Sequence, residues 1–253
     1  MKIAAVQHDI VWEDPQANFE RLAPKIKEAA DEGAELIALT EMFSWGFSMD
    51  TTRVFEPVDG PSTRFLLEQA QLTGAWVCGS LPERPEGQDL PFNQLVVASP
   101  SGDVHRYAKI YPFSYSGEHE NYNSGDTPLT LDIGGLRVSF FICYDLRFAD
   151  EFWKLAHDTD LYVVVANWPE SRREHWKTLL RARAIENQAF MMATNRVGLG
   201  GRLPYAGDAS IIDPFGELLA HAEFDETTIF ADATAARVQH VRSKYPFLND
   251  RRG

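Results

Sequence analysis

Short apolar runs alternate with helical segments along almost the whole chain, and that alternation limits the fold more than any other feature. KIAAVQ (2–7), LIALTEM (36–42), VSFFI (138–142) and LYVVVAN (161–167) are each brief and predominantly apolar. Runs of this kind read as strands covered on both faces. Between them stand segments with apolar residues three and four apart. NFERLAPKIKEAADEGAE places Phe19, Leu22, Ile26 and Ala29 or Ala30 on one face, and Gly33 supplies the stop. PSTRFLLEQAQLTG opens with Pro61 and ends at Gly74, as a helix does. ADEFWKLAHD is a shorter helix, and REHWKTLLRARAIENQ has the strongest helical pattern in the chain.

Hairpins interrupt the alternation. AWVCGSLPE and FNQLVVASPSGDVHRYAK are strands, the second pair turning through Ser101-Gly102-Asp103. LTLDIGGLRVSFFICYD turns at Gly134-Gly135, AFMMATNRVG is a strand, and DASIIDPFGELLAHA is a hairpin around Asp213-Pro214-Phe215-Gly216. Residues 114–126 read as a polar loop. The sequence has no linker rich in Pro, Ser or Gly, no low-complexity tract and no short-period repeat. The expectation is one α/β domain over residues 1–253, with helices covering sheet faces.

Charge narrows the partners. Lys and Arg number 24 against 37 Asp and Glu, a net charge of −13. That balance disfavours nucleic acid or an anionic membrane as the main partner, since either calls for a basic patch. It leaves room for a small anionic substrate in a locally positive pocket. No segment approaches the ~18 continuous apolar residues of a membrane span, and MKIAAVQHDI is too short an apolar run for a signal segment. The only cysteines, Cys78 and Cys143, form no CxxC pair and fit a reducing compartment. The expectation is a cytoplasmic chain. Seven histidines show neither HxH nor HExxH spacing, so no metal and no cofactor is expected. GLGGR (198–202) follows a strand but opens no helix, which makes it a poor phosphate-binding loop.

Three apolar runs end in a reactive or polar residue: Glu41 after LIALT, Cys143 after VSFFI, and Asn167-Trp168 after LYVVVA. Ligands gather at the carboxyl ends of strands in open α/β sheets, so these positions are expected to converge. Lys109 ends the strand HRYAK, and the loop beyond it holds Glu118 and Glu120. Singly, each has an ordinary reading. Cys78 and Cys143 suit a core, Glu41 suits a turn, and Lys109, Glu118 and Glu120 suit a solvated surface. Arg181, Arg183 and Glu186 on the long helix read as helix-face or interface ion pairs.

Together they make chemistry. A thiol of pKa near ~8.5 needs a base or a positive neighbour to act as a nucleophile at neutral pH. Glu41 can serve as that base, and Lys109 can stabilise both the thiolate and the oxyanion formed on a carbonyl. The backbone N–H of Tyr144, just after the thiol, is a natural second oxyanion donor, and a second carboxylate would hold the lysine charged. A Cys143–His175 pair is the competing arrangement, but it leaves Glu41 and Lys109 without a role.

LTEMFSWGFSMD, KIYPFSYSGEHENYNSGD, FFICYDLRF, NWP and LLRARAIENQ…NRVG occur in an order and spacing that resemble the nitrilase superfamily, the carbon–nitrogen hydrolases. EMFSWGFSMD and CYDLRF look most like the bacterial amidase branch that includes the ω-amidases. The resemblance runs from AAVQ to the IIDPFGE hairpin. It implies a four-layer α-β-β-α sandwich that pairs into a homodimer. It also implies Cys143 as nucleophile, Glu41 as general base and Lys109 as oxyanion stabiliser. Glu118 is the implied second glutamate, with Glu120 as runner-up, and Arg147 is the residue that would meet an acidic substrate. Asn167 and Trp168 would complete the substrate pocket.

The implied reaction is hydrolysis of a small aliphatic amide, such as the ω-amide of a dicarboxylate, through a thioester that releases ammonia. The alternatives are a nitrilase or an N-carbamoyl amine hydrolase using the same site, or an idle family member acting as a binding partner. The chain departs from the pattern at KIYPF, at RFAD and in GLGGRLPYAGDAS, changes that bear on the substrate more than on the chemistry.

Overall fold

The computed structural model describes residues 1–252. In chain order the first elements are β1 (Lys2–Gln7), α1 (Pro15–Asp31), β2 (Leu36–Ala38), α2 (Pro61–Thr73), β3 (Trp76–Glu83), β4 (Phe92–Ala98) and β5 (Val104–Ala108). The short helix α3 (Glu118–Asn121) precedes β6 (Thr130–Ile133), β7 (Leu136–Ile142), α4 (Ala149–Leu155) and β8 (Leu161–Ala166). Then come α5 (Arg173–Asn187), β9 (Phe190–Asn195), β10 (Val197–Gly200) and β11 (Leu203–Ile212). The chain closes with β12 (Leu218–Glu223), β13 (Thr227–Asp232) and α6 (Ala235–Lys244).

The strands form two sheets. One has the order β13-β1-β2-β3-β4-β5, and the other has the order β10-β11-β9-β8-β7-β6 with β12 paired to β11. Each sheet has a parallel centre, β1-β2-β3 in one and β7-β8-β9 in the other, flanked by antiparallel strands. Parallel strands bury both faces, which explains why these runs are apolar throughout.

Side-chain alternation sets the layers. In β1, Ile3 and Ala5 face the core shared with the second sheet, while Ala4 and Val6 face α1 and α2. In β2, Leu36 and Ala38 point inward, and Ile37 points to the helices. Leu22, Ile26 and Ala29 of α1 and Phe65, Leu66 and Ala70 of α2 complete the outer layer. Phe152 of α4 and Trp176, Leu180 and Ala184 of α5 cover the second sheet. The result is the four-layer α-β-β-α sandwich. Pro15 opens α1, with Asp14 Oδ1 accepting from Ala17 N, and Gly74 ends α2 at a left-handed φ of +74°.

The structure departs from the sequence pattern in four places. LIALTEM is a strand only through Ala38, because Met42 N donates to Ser80 Oγ and Phe43 N to the Ser80 carbonyl, which bends the chain away from the ladder. The loop 114–126 contains α3. AFMMATNRVG breaks after Asn195 into β9 and β10, and the glycines of GLGGR turn β10 into β11. Arg183 is buried rather than on a helix surface: it pairs with Glu186 and also donates to the Leu146 carbonyl.

Candidate active site

Cys143 follows β7 directly and starts a tight turn, Cys143–Arg147, at φ +44°. A non-glycine residue in that region carries strain, and it persists only where surroundings over-determine it. Here Asp145 does so from inside the turn. Its buried carboxylate accepts from Ile142 N (3.0 Å), Tyr111 N (2.9 Å) and Tyr107 Oη (2.8 Å). Arg183 Nη2 adds a bond to the Leu146 carbonyl at 2.8 Å. Burial raises the Asp145 carboxyl to about 7 against the pull of Lys109 and those donors.

Glu41 lies three residues beyond β2, beside Met42 at φ +47°. Lys109 leaves the end of β5, and Glu118 opens α3. All three are fully buried and in contact. Lys109 Nζ donates to Glu41 Oε1 at 2.8 Å and to Glu118 Oε2 and Oε1 at 2.8 and 3.1 Å. Glu120 is exposed, so of the two glutamates in GEHEN it is Glu118 that meets the lysine. Asn167 N donates to Glu41 Oε2 at 2.7 Å, and Asn167 Nδ2 donates to the Glu41 carbonyl at 2.6 Å. The expected convergence of strand ends therefore joins the two sheets, since Glu41 and Lys109 come from one and Cys143 and Asn167 from the other.

The electrostatics follow from burial. Burial alone would lower Lys109, but the Glu118 and Glu41 carboxylates outweigh it and hold the ammonium well above the ordinary lysine range. Burial raises Glu118, opposed by Lys109 and reinforced by the charge of Glu41. Burial and the Glu41 carboxylate push the Cys143 thiol well up, with Lys109 opposing. Burial and the neighbouring glutamate thus favour the protonated sulfur, and the lysine favours its thiolate form. His175 is exposed and accepts from Arg147 Nη2 at 3.2 Å.

The thiol opens into a cavity of about 360 Å³. Cys143, Tyr144, Arg147, Asn167 and Trp168 all line it. The Arg147 guanidinium lies over the Trp168 ring, 4.7 Å from its centroid.

The sequence reading missed Asn93, Arg172, Phe47, Phe113 and Tyr205. Asn93 Nδ2 donates to Glu41 Oε1 (2.8 Å) and Glu118 Oε1 (3.0 Å), while its Oδ1 accepts from Ser80 Oγ (2.8 Å). The other four line the cavity. A polar residue in the run FNQLVVA was the one signal for Asn93. Away from the cavity, Asp208, His221 and Glu223 bring potential ligand atoms together, but Arg173 pairs with Asp208 and Glu223 and makes this an ion-pair cluster.

The carbon-nitrogen hydrolase family profile matches residues 2–243. The chain is 35% identical over 253 residues to the omega-amidase YafV of Escherichia coli K12, covering 99% of this chain and 96% of that one. It is 31% identical over 254 residues to the 2-oxoglutaramate amidase of Bacillus subtilis 168, covering 98% and 96%. The crystal structure of XC1258 from Xanthomonas campestris, a CN-hydrolase superfamily protein with an arsenic adduct in its active site, matches at a TM-score of 0.95. That match has 35% identity and covers 100% of this chain and 97% of the other. The chain belongs to the carbon-nitrogen hydrolase family. Within that family it is an amidase.

Proposed function

We propose that this amidase is an ω-amidase. It hydrolyses the terminal amide of a dicarboxylic acid monoamide, of the kind 2-oxoglutaramate represents, to the acid and ammonia. The observation that carries the reading is the buried Glu41–Lys109–Glu118 cluster against Cys143, beneath a pocket that presents Arg147. Among the described residues Arg147 has no carboxylate partner; it donates to His175 and lies over the Trp168 ring instead.

In this mechanism Glu41 takes the thiol proton and the Cys143 thiolate attacks the amide carbonyl carbon. Lys109 Nζ and the Tyr144 N–H hold the oxyanion. Glu41 returns the proton to the amide nitrogen, the C–N bond breaks, and ammonia leaves a thioester on Cys143. Glu41 then takes a proton from water, whose oxygen attacks the thioester; the C–S bond breaks and the sulfur regains its proton. Glu118 holds Lys109 charged and in place, and Arg147 meets the carboxylate of the substrate.

Two experiments test the reading. Cys143→Ala should lose about four orders of magnitude or more in ammonia release; near-wild-type turnover would end the mechanism. A panel of ω-amides, neutral amides, nitriles and N-carbamoyl compounds should favour the acidic ω-amides, and a preference for nitriles or carbamoyl compounds would overturn the substrate assignment.

The same proposal takes residues 1–253 as one catalytic unit, because the cluster draws side chains from both sheets. It takes the chain as cytoplasmic, on two free cysteines, and notes that among the described residues no helix is long and apolar enough to cross a membrane. It takes the chain as a homodimer through the outer face of α5, where Ile185 and Leu218, 48% and 42% exposed, flank one groove.

A further inference from the structure

The lining of the active-site cavity contains two cations, Arg147 and Arg172, and no anion. The acids beneath it, Glu41 and Glu118, are already engaged by Lys109 and Asn93. Arg172 ends a short turn, Glu170–Arg172, and Trp168 Nε1 donates to its backbone carbonyl at 2.9 Å, tying that turn to the pocket wall. Its guanidinium lies over the Phe113 ring, 5.5 Å from the centroid, as Arg147 lies over Trp168. Both aromatic rings belong to the same cavity.

Among the described residues neither guanidinium has a carboxylate within ion-pair distance. Arg173, the very next residue, is held by Asp208 and Glu223, and Arg137, Arg196 and Arg237 each have an acidic partner. With no acid in the lining, two unneutralised arginines make this one pocket locally positive in a chain of net charge −13. An anion entering this cavity meets positive charge and no competing acid.

We propose that Arg172 is a second specificity-determining residue, forming with Arg147 a clamp of two guanidiniums for the acidic end of the substrate. This rests on the ω-amidase reading above and goes further, because two forks ask for more acceptor oxygens than one carboxylate edge supplies. A guanidinium fork engages two oxygens in a plane. An α-oxo acid offers both carboxylate oxygens on one edge, and a carboxylate oxygen with the adjacent oxo group on another. Arg172 therefore selects α-oxo acid amides over plain dicarboxylate monoamides.

The test is steady-state kinetics on 2-oxoglutaramate, glutaric acid monoamide and butyramide with wild type, Arg172→Gln and Arg172→Lys. Arg172→Gln should raise KM for 2-oxoglutaramate about 10-fold or more, with a smaller effect on kcat. It should also lower the kcat/KM preference for 2-oxoglutaramate over glutaric acid monoamide by a similar factor. Arg172→Lys, which keeps the charge but loses the fork, should recover part of KM and little of the preference. An unchanged preference in both variants overturns the proposal, and so does an equal loss on all three substrates, which would mark a structural role. A wild-type enzyme that favours butyramide fails the ω-amidase reading itself, a result separable from a wild type that favours acids while Arg172→Gln keeps its preference.

Discussion

Asn93 shows how much of this site depends on single hydrogen atoms. Its amide has two N–H groups, and the site divides them between the two glutamates that also share Lys109. Two buried carboxylates beside one ammonium leave an excess negative charge, and neutral donors stabilise it without adding a competing cation. Asn93→Asp should replace both donors with a third acid. We expect kcat/KM to fall about 10- to 100-fold. The acidic limb of the pH–rate profile should move to higher pH, because a third acid in the buried cluster adds to the negative charge that already raises Glu118. A profile unchanged in position would show that Asn93 only packs. The polar pair Asn93-Gln94 in an otherwise apolar strand was the only trace of Asn93 in the sequence, and it carries no pattern; its role exists only where its partners arrive from elsewhere in the chain.

At the scale of elements, the end of β5 is fixed by a close approach of backbone. Gly125 N donates to the Lys109 carbonyl at 2.8 Å, and a Cβ at Gly125 would fall 2.3 Å from the Ala108 carbonyl oxygen. A backbone atom cannot swing aside as a side chain does. Gly125→Ala should therefore displace the Lys109 segment by a sizeable fraction of an ångström and lower kcat about 100-fold. Steady-state kinetics beside a thermal melt checks this, with kcat falling well beyond what the loss of folded protein explains.

The long strands and helices were legible because buried parallel strands and amphipathic helices impose strong local periods. β13 and α6 were not read at all. β13 is an edge strand with a single buried residue, Ile229, and α6 buries only Val238 and Val241, so neither carries a clear period. α3 spans four residues, too few for any period, and its sequence EHEN looks like a solvated loop until Glu118 is seen buried.

For the whole molecule, two buried groups set opposite responses to acid. Burial lowers His8 from 6.5 to about 4; its Nδ1 lies 3.3 Å from the Val6 carbonyl and its Nε2 3.2 Å from Thr40 Oγ1. The unfolded chain binds that proton first, so the contribution of His8 is present above about 6.5 and is lost as pH falls through about 4. Two to three units correspond to about 3 kcal/mol. Asp145 runs the other way. Its carboxyl rises from 3.8 to about 7, so its contribution is complete below 3.8 and is lost as pH rises through about 7.

The two oppose each other between pH 4 and 6.5. His8→Gln removes one of them, and from pH 6.5 to 4 the wild-type Tm should drop about 5 °C or more relative to the variant. A constant difference between the two melting curves would refute the assignment to His8. Association is a separate matter at this scale: for the homodimer proposed above, Ile185→Asp on the outer face of α5 should shift sedimentation toward monomer, and sedimentation identical to wild type would overturn the proposed interface.

Local order in the chain was enough to define an α/β domain with helices over sheet faces and the kinds of residue available for chemistry, since strand and helix periods and residue reactivity are properties of neighbours along the backbone; the four-layer sandwich was implied only by the family resemblance. The tertiary structure alone decided that Glu118 rather than Glu120 meets the lysine, that Asn93 joins two carboxylates, and that Arg172 shares a pocket with Arg147. Glu41 meets Lys109 across 68 positions and Asn167 across 126. Contacts over such separations depend on how two sheets pack face to face, and no local period encodes that.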